Sequence, residues 1–138
     1  MTPAEADRFV AERTRGVLVT LKADGRPQLS NVVYAVLDGR VRVSVTEDRA
    51  KTRNLRRDPR VSLHVTSDDF WSYVVGEGEA VLGPVATAPG DEACAALLRL
   101  YETVRGEPHP DPDEFGRAMA AEHRLELSFP IAHRYPTT

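Results

Sequence analysis

Cysteine occurs once in the 138 residues, at Cys94, and tryptophan once, at Trp71. A single cysteine excludes an intramolecular disulfide and a cysteine-rich zinc site. Cys94 sits in an Ala/Leu helical pattern and reads as a small buried residue rather than a nucleophile. No apolar run approaches the ~20 residues of a membrane span, and the N-terminus lacks the apolar core of a signal peptide. A cytoplasmic protein with no membrane partner is therefore expected. The histidines His64, His109, His123 and His133 have no ligand-like spacing, which argues against a metal site. Gly-x-Gly-x-x-Gly, the Walker phosphate loop and the Gly-x-Ser-x-Gly elbow are all absent, so any cofactor must be held by another device. Positive charge is not in excess either: the formal net charge is -3 and the pI is near 5.8, against a nucleic-acid partner.

With 41% hydrophobic and 28% charged residues, the composition is that of an ordinary globular protein. The length fits one domain spanning residues 1–138, able to bury about two-thirds of its unfolded surface. Against this background one stretch stands out. From Arg49 to Arg60, six of twelve residues are cationic: Arg49, Lys51, Arg53, Arg56, Arg57 and Arg60. It lies between two strand-like runs, Val41–Val45 and Val61–Val65. A short helix fits there, with Thr46 or Asp48 as its cap and Pro59 ending it. Its first turn would gather free backbone N–H groups, the positive end of the helix dipole, Arg49 and Lys51, which suits a phosphate. A solvated charged face and a nucleic-acid-facing arginine stripe are the competing readings.

Thr2-Pro3-Ala4-Glu5 combines a capping residue, a proline at the first helical position and an acid placed for a capping box, predicting a helix to about Arg13. Gly16–Lys22 reads as a strand, followed by Asp24-Gly25 turn chemistry. A second strand should run from Gln28 to about Leu37, and a third from Arg40 to Val45 after Asp38-Gly39. Together they predict a continuous antiparallel meander. Beyond the basic helix come the Val61–Val65 strand, a turn at Ser67–Phe70, and a long strand from Trp71 to about Leu82. Gly76 and Gly78 within it signal a bulge or a close backbone approach. Asp91–Val104 and Asp113–His123 carry apolar residues at helical spacing. Arg124–Phe129 alternates strictly as a last strand, with Pro130–Tyr135 as its extension. The pattern is mainly β with flanking helices (α+β), favouring a small closed barrel of about six antiparallel strands.

The order of four segments resembles the pyridoxamine 5'-phosphate oxidase-like split-barrel superfamily. They are Asp24–Val32, the strand ending at Val45, Arg49-Ala50-Lys51-Thr52-Arg53-Asn54-Leu55, and Asp69-Phe70-Trp71-Ser72-Tyr73. More narrowly the chain is similar to its flavin/deazaflavin oxidoreductase branch that uses coenzyme F420. The likeness runs from about Gly16 to Tyr135, and the Arg-Ala-Lys-Thr-Arg-Asn-Leu segment is its most specific part.

The resemblance implies a six-stranded split β-barrel homodimer with two cofactor sites at its interface. By position it implies a phosphate clamp of Arg49 and Lys51, with Ser44, Val45, Thr46 and Ala50 at the adjacent strand end. Gln28, Ser30 and Asn31 would run beneath the ring system, and Trp71 would approach it, from the partner subunit in one arrangement. The implied function is hydride transfer from reduced coenzyme F420 to a small conjugated organic substrate. FMN is the alternative cofactor, and a non-catalytic cofactor-binding protein the alternative function. No acid has a persuasive position as proton donor, so no catalytic residue is assigned. The loops around Asp68–Trp71 and Pro108–Pro112 are expected to shape the substrate pocket.

Overall fold

The structure is a computed structural model describing residues 1–138. Its first element, α1 (Pro3–Ala11), opens as the sequence dictates: Thr2 accepts from the Glu5 N–H while the Glu5 carboxylate accepts from the Thr2 N–H. Val10 and Ala6 turn inward and are buried.

The strands are β1 (Arg15–Leu21), β2 (Pro27–Val33), β3 (Ala35–Leu37), β4 (Arg40–Thr46), β5 (Arg60–Thr66), β6 (Tyr73–Glu79), β7 (Val81–Leu82), β8 (Arg124–Phe129) and β9 (His133–Tyr135). They form two antiparallel sheets, ordered β2-β1-β5-β6-β9 and β3-β4-β8-β7. The helix α2 (Ala50–Arg57) links β4 to β5, while α3 (Glu92–Arg105) and α4 (Pro112–Ala121) lie between β7 and β8. Leu18, Val43, Leu63, Leu127 and Phe129, contributed by both sheets, meet in one core.

The mainly β class with flanking helices holds, but closure into a six-stranded barrel does not. Nine strands in two separate ladders replace it, because three expected strands are broken. The break in the second strand falls at Tyr34. Its hydroxyl donates to the Val10 carbonyl at 2.6 Å and its N–H donates to the Thr14 carbonyl at 2.8 Å. Those bonds turn the chain from one sheet into the other, a corner of the kind packed sheets use. The continuous meander is therefore two hairpins, β1–β2 and β3–β4, in different sheets. Asp38 and Gly39 make the second turn with positive φ at both residues, 52° and 73°, as a tight hairpin with matching twist requires.

The long strand after Ser72 breaks at Ala80 rather than at its glycines. At Gly76 and Gly78 the β5–β6 register is uninterrupted, so neither is a bulge. Both instead permit a close approach. A Cβ on Gly76 would sit 2.8 Å from Ile131 Cδ1, and one on Gly78 would fall on the Pro130 carbonyl oxygen. Pro130 ends β8, and the chain crosses to pair β9 with β6 instead of extending β8. Cys94 is buried with Ala93, Leu97 and Phe115 in a second small core between α3 and α4. That buried environment pushes its thiol up from the ordinary value.

Tyr34 is fully buried, and burial pushes its phenol well above the usual tyrosine range. Replacing it with phenylalanine removes the short bond to the Val10 carbonyl, which keeps only the Arg13 N–H at 3.2 Å. Tyr34→Phe is expected to cost about 1–2 kcal/mol, read as a lower urea midpoint with an unchanged m value.

Candidate functional site

β3 pairs only with Arg40 to Arg42 of β4, while β8 pairs with β4 along its whole length from Val41 to Thr46. From Val43 to Thr46, β4 thus has a ladder on one side only. Continuing the β3 register past Ala35↔Arg42 would set Val33 opposite Ser44 and Asn31 opposite Thr46. The corner at Tyr34 prevents this by carrying β2 into the other sheet. A cleft of about 390 Å³ opens where the two arms separate, with Asn31, Val33, Val43 and Ser44 along it. Its roof is apolar: Leu97, Leu100, Tyr101 and Val104 from α3, Phe115 and Met119 from α4. Its remaining polar lining is Lys51, Glu122 and Arg124.

Lys51 reaches the cleft because α2 is fixed by a chain of buried polar contacts. Arg57 donates to Asn54 Oδ1 at 3.2 Å, Asn54 Nδ2 to Thr20 Oγ1 at 3.1 Å, and Thr20 Oγ1 to Gln28 Oε1 at 3.1 Å. Thr52 Oγ1 donates to the Thr46 carbonyl at 2.7 Å, and Leu55 enters the core. The N-cap is Arg49, and no side chain caps the helix; neither Thr46 nor Asp48 does so. Lys51 makes no hydrogen bond or ion pair with any carboxylate. Its pKa is lowered, first by burial and then by the nearby charges of Arg49 and Arg124.

Of the residues expected at the site, Asn31, Ser44 and Lys51 line the cleft. Thr46 shares the Ser44 face of β4, and its Oγ1 is buried with no hydrogen-bond partner. Val45 points the other way, into the core, which leaves only its backbone for a ligand. Arg49 and Ala50 are exposed at the helix start outside the cleft. Gln28 and Ser30 alternate with Asn31, so they lie on the inward face of β2. There Gln28 is engaged by Thr20, whereas Ser30 Oγ is buried without a partner. Trp71 does not begin a strand: it lies in the turn before β6, 88% exposed, and does not line the cleft of its own chain. The arginine stripe is also broken, since Arg57 donates to the Leu21 carbonyl and Arg60 pairs with Asp58.

The cleft's polar end beside an apolar wall suits a planar molecule with an anionic arm, and the comparisons decide the family. A family model described as pyridoxamine 5'-phosphate oxidase matches residues 2–129. The chain belongs to that family. Among solved structures, a conserved hypothetical protein from Mycobacterium tuberculosis is 28% identical, with a TM-score of 0.73, covering 97% of this chain and 82% of its own. An F420 reductase shares the fold at 23% identity and a TM-score of 0.67, covering 91% and 93%. A FAD-binding protein from Mesorhizobium loti does so at 18% identity and a TM-score of 0.69, covering 97% and 90%. No helix of the chain is long and apolar enough to cross a membrane.

Two parts of the site escaped sequence reasoning. The roof comes from α3 and α4, not from the Asp68–Trp71 loop. Arg124 is the other: its Nη1 lies 3.3 Å from Ser44 Oγ, across a separation of eighty residues. The strict alternation of β8 gave its phase, but not the strand beside it.

The lowered Lys51 value has a definite sign. Between the folded value and the ordinary lysine value of the unfolded chain, the unfolded chain binds more protons. Stability from this residue therefore rises with pH across that window, and below it the buried ammonium is a cost. Lys51→Met is expected to raise the melting temperature of the ligand-free protein at pH 7, with the gain shrinking as pH approaches ~10.4. Thermal melts of both proteins from pH 7 to 10.5 check this; a lower melting temperature for the variant at pH 7 would contradict it.

Proposed function

We propose that this protein is an F420-dependent oxidoreductase that passes a hydride from the reduced deazaflavin to a small conjugated organic substrate. The single observation that carries the reading is Lys51: a half-buried ammonium with no carboxylate partner at the polar end of an apolar cleft. In this family's fold that is a place for a ring cofactor with a phosphate arm. The fit is supported further by the uncapped first turn of α2, whose N–H groups and dipole favour an anion, and by the orphaned Thr46 hydroxyl.

When bound, the cofactor supplies the hydride, and the chain's residues hold and enclose it. Lys51 supplies a compact charge for the phosphate, with Arg49 at the rim giving a guanidinium fork. The roof residues Leu97, Tyr101, Phe115 and Met119 would cover the ring and exclude water from it. Fixing donor against acceptor in this way removes translational and rotational freedom before the reaction.

A second copy of the chain is part of the proposal. Leu29 and Val33 on the outer face of β2, and Phe70, Trp71 and Tyr73 around the next hairpin, are large apolar side chains left exposed, Phe70 by 75%. Val33 also lines the cleft, so a copy seated on this face would complete the site's rim. Trp71 would then serve the partner's cleft rather than its own. Leu29→Asp is expected to turn a dimer into a monomer in analytical ultracentrifugation and to weaken cofactor binding with it. A dimer unaffected by that change would place the interface elsewhere.

FMN use is the second reading, favoured by the same phosphate corner and by the shared fold of the FAD-binding protein. Fluorescence titration with coenzyme F420 and with FMN, repeated with Lys51→Ala, separates the two. Micromolar or tighter F420 binding, weaker FMN binding and a loss of at least about tenfold in the variant are expected. Preference for FMN would make this a flavoprotein. Tight F420 binding with no hydride transfer to any conjugated acceptor would make it a cofactor-binding protein without turnover.

A further inference from the structure

We propose that Arg124 is a phosphate-recognising residue of this cleft, forming with Lys51 and Ser44 a three-sided anion corner. The inference deepens the cofactor reading above and rests on it for the ligand's ring, but not for its anion. Arg124 opens β8 directly opposite Thr46 in the β4–β8 register, on the face that also carries Ser44 and Glu126. Its guanidinium is held in place twice. Nε donates to Glu122 Oε1 at 2.9 Å and Nη1 to Ser44 Oγ at 3.3 Å. Those contacts use two of five N–H donors, leaving three on a plane that is already oriented. Orientation before binding is what a fork needs to accept a tetrahedral oxyanion at low entropic cost.

The charges at this end of the cleft are unbalanced. Lys51 and Arg124 face the same space, and the cation of Arg124 is among the causes that lower the Lys51 pKa. Glu122 is the only carboxylate lining the cleft; its side chain is 46% exposed, and it approaches Arg124 from the Nε edge. Glu126, on the same face of β8, is taken by Arg42 at 2.8 Å. An anion beside the two cations relieves their repulsion and takes a fork of spare donors from Arg124 together with the ammonium of Lys51. Arg49 is exposed and does not line the cleft, although its charge acts on Lys51 as that of Arg124 does. The clamp is thus assembled from two distant stretches of chain, α2 and the first residue of β8.

A merely structural tie from β8 to β4 would explain the Ser44 contact alone, and a paired-ligand experiment distinguishes the two. The affinities of FMN and of riboflavin, or of F420 and its deazaflavin ring without the phosphate arm, are measured for the native protein, Arg124→Gln, Arg124→Lys and Ser44→Ala. Arg124→Gln is expected to weaken the phosphate-bearing ligand roughly ten- to hundredfold while changing the phosphate-free one less than about twofold. Arg124→Lys should fall between. Equal weakening of both ligands, or an unchanged preference for the phosphate form, overturns the proposal. Melting temperature in inorganic phosphate supplies a readout free of the ring. The native protein is expected to gain stability with phosphate and Arg124→Gln to lose most of that gain. If neither ring ligand binds but this loss is seen, the cofactor reading falls and the anion corner stands. No phosphate-dependent gain in the native protein overturns the corner itself.

Discussion

The Tyr34 hydroxyl, held on the Val10 carbonyl in the middle of the core, determines where this fold can have a site. At this residue β2 and β3 part instead of continuing as one strand against β4, which would give every backbone group from Val43 to Thr46 a neighbour on both sides. The chain leaves one sheet for the other at a single residue. The parted strands expose one edge of β4 and the outer face of β2 to the same cleft. A burial-driven corner thus creates the concavity, and the cost of turning the chain is met by two short hydrogen bonds at one residue. The remaining elements only line what that corner opens.

α2 illustrates how the lining is made stiff. Eight residues form too short a helix to persist alone in water. It is held instead by Leu55 in the core and by the Arg57–Asn54–Thr20–Gln28 chain, of which Thr20 and Asn54 are buried and satisfied. Satisfied buried polar groups give direction that apolar contact does not, since each bond fixes an angle as well as a distance. The result is a helix that holds Lys51 in the cleft while its first turn has no side-chain cap. Leaving that turn uncapped and Lys51 unpaired lowers the stability of the free protein. On the reading proposed above, the same deficits would favour an anion.

How far this was legible in the sequence depends on whether local pattern or distant pairing sets each feature. Capping chemistry at Thr2 and Glu5, turn chemistry at Asp38-Gly39 and the alternation of Arg124–Phe129 are local, and they appear as expected. The glycines at 76 and 78 announced a close approach but not its partner, because Pro130 and Ile131 lie some fifty residues away. The corner at Tyr34 was invisible: the run from Gln28 to Leu37 has continuous strand propensity, and only the tertiary partner of one hydroxyl divides it. At the site, proximity in sequence was misleading. Arg49 and Lys51 are two residues apart yet only Lys51 lines the cleft, while Ser44 and Arg124 are eighty apart and touch. Gln28, Ser30 and Asn31 were grouped by position, but strand alternation puts the first two inside and the third in the cleft. The expectation that the basic helix start faces a ligand came from the family likeness, which pattern alone does not supply.

A phosphate corner of the kind proposed would not by itself choose between FMN and coenzyme F420, since both carry a phosphate. Discrimination must come from the wall that meets the ring. Leu97, Leu100, Val104, Phe115 and Met119 offer only apolar contact, which is tolerant of small changes in ring edge. Tyr101 is different. It is the one roof residue with a hydroxyl, and its ring is braced against Phe115 and His109 at 5.4 and 4.9 Å between centroids. On the cofactor reading proposed above, a polar group on an otherwise apolar wall would favour a ring that presents a hydrogen-bonding group there over one that presents a methyl. The polar end of the cleft would then set how tightly a phosphate-bearing ring is held and the Tyr101 side of the roof which ring it is, separable tasks on separate elements, α2 and β8 for the first and α3 for the second.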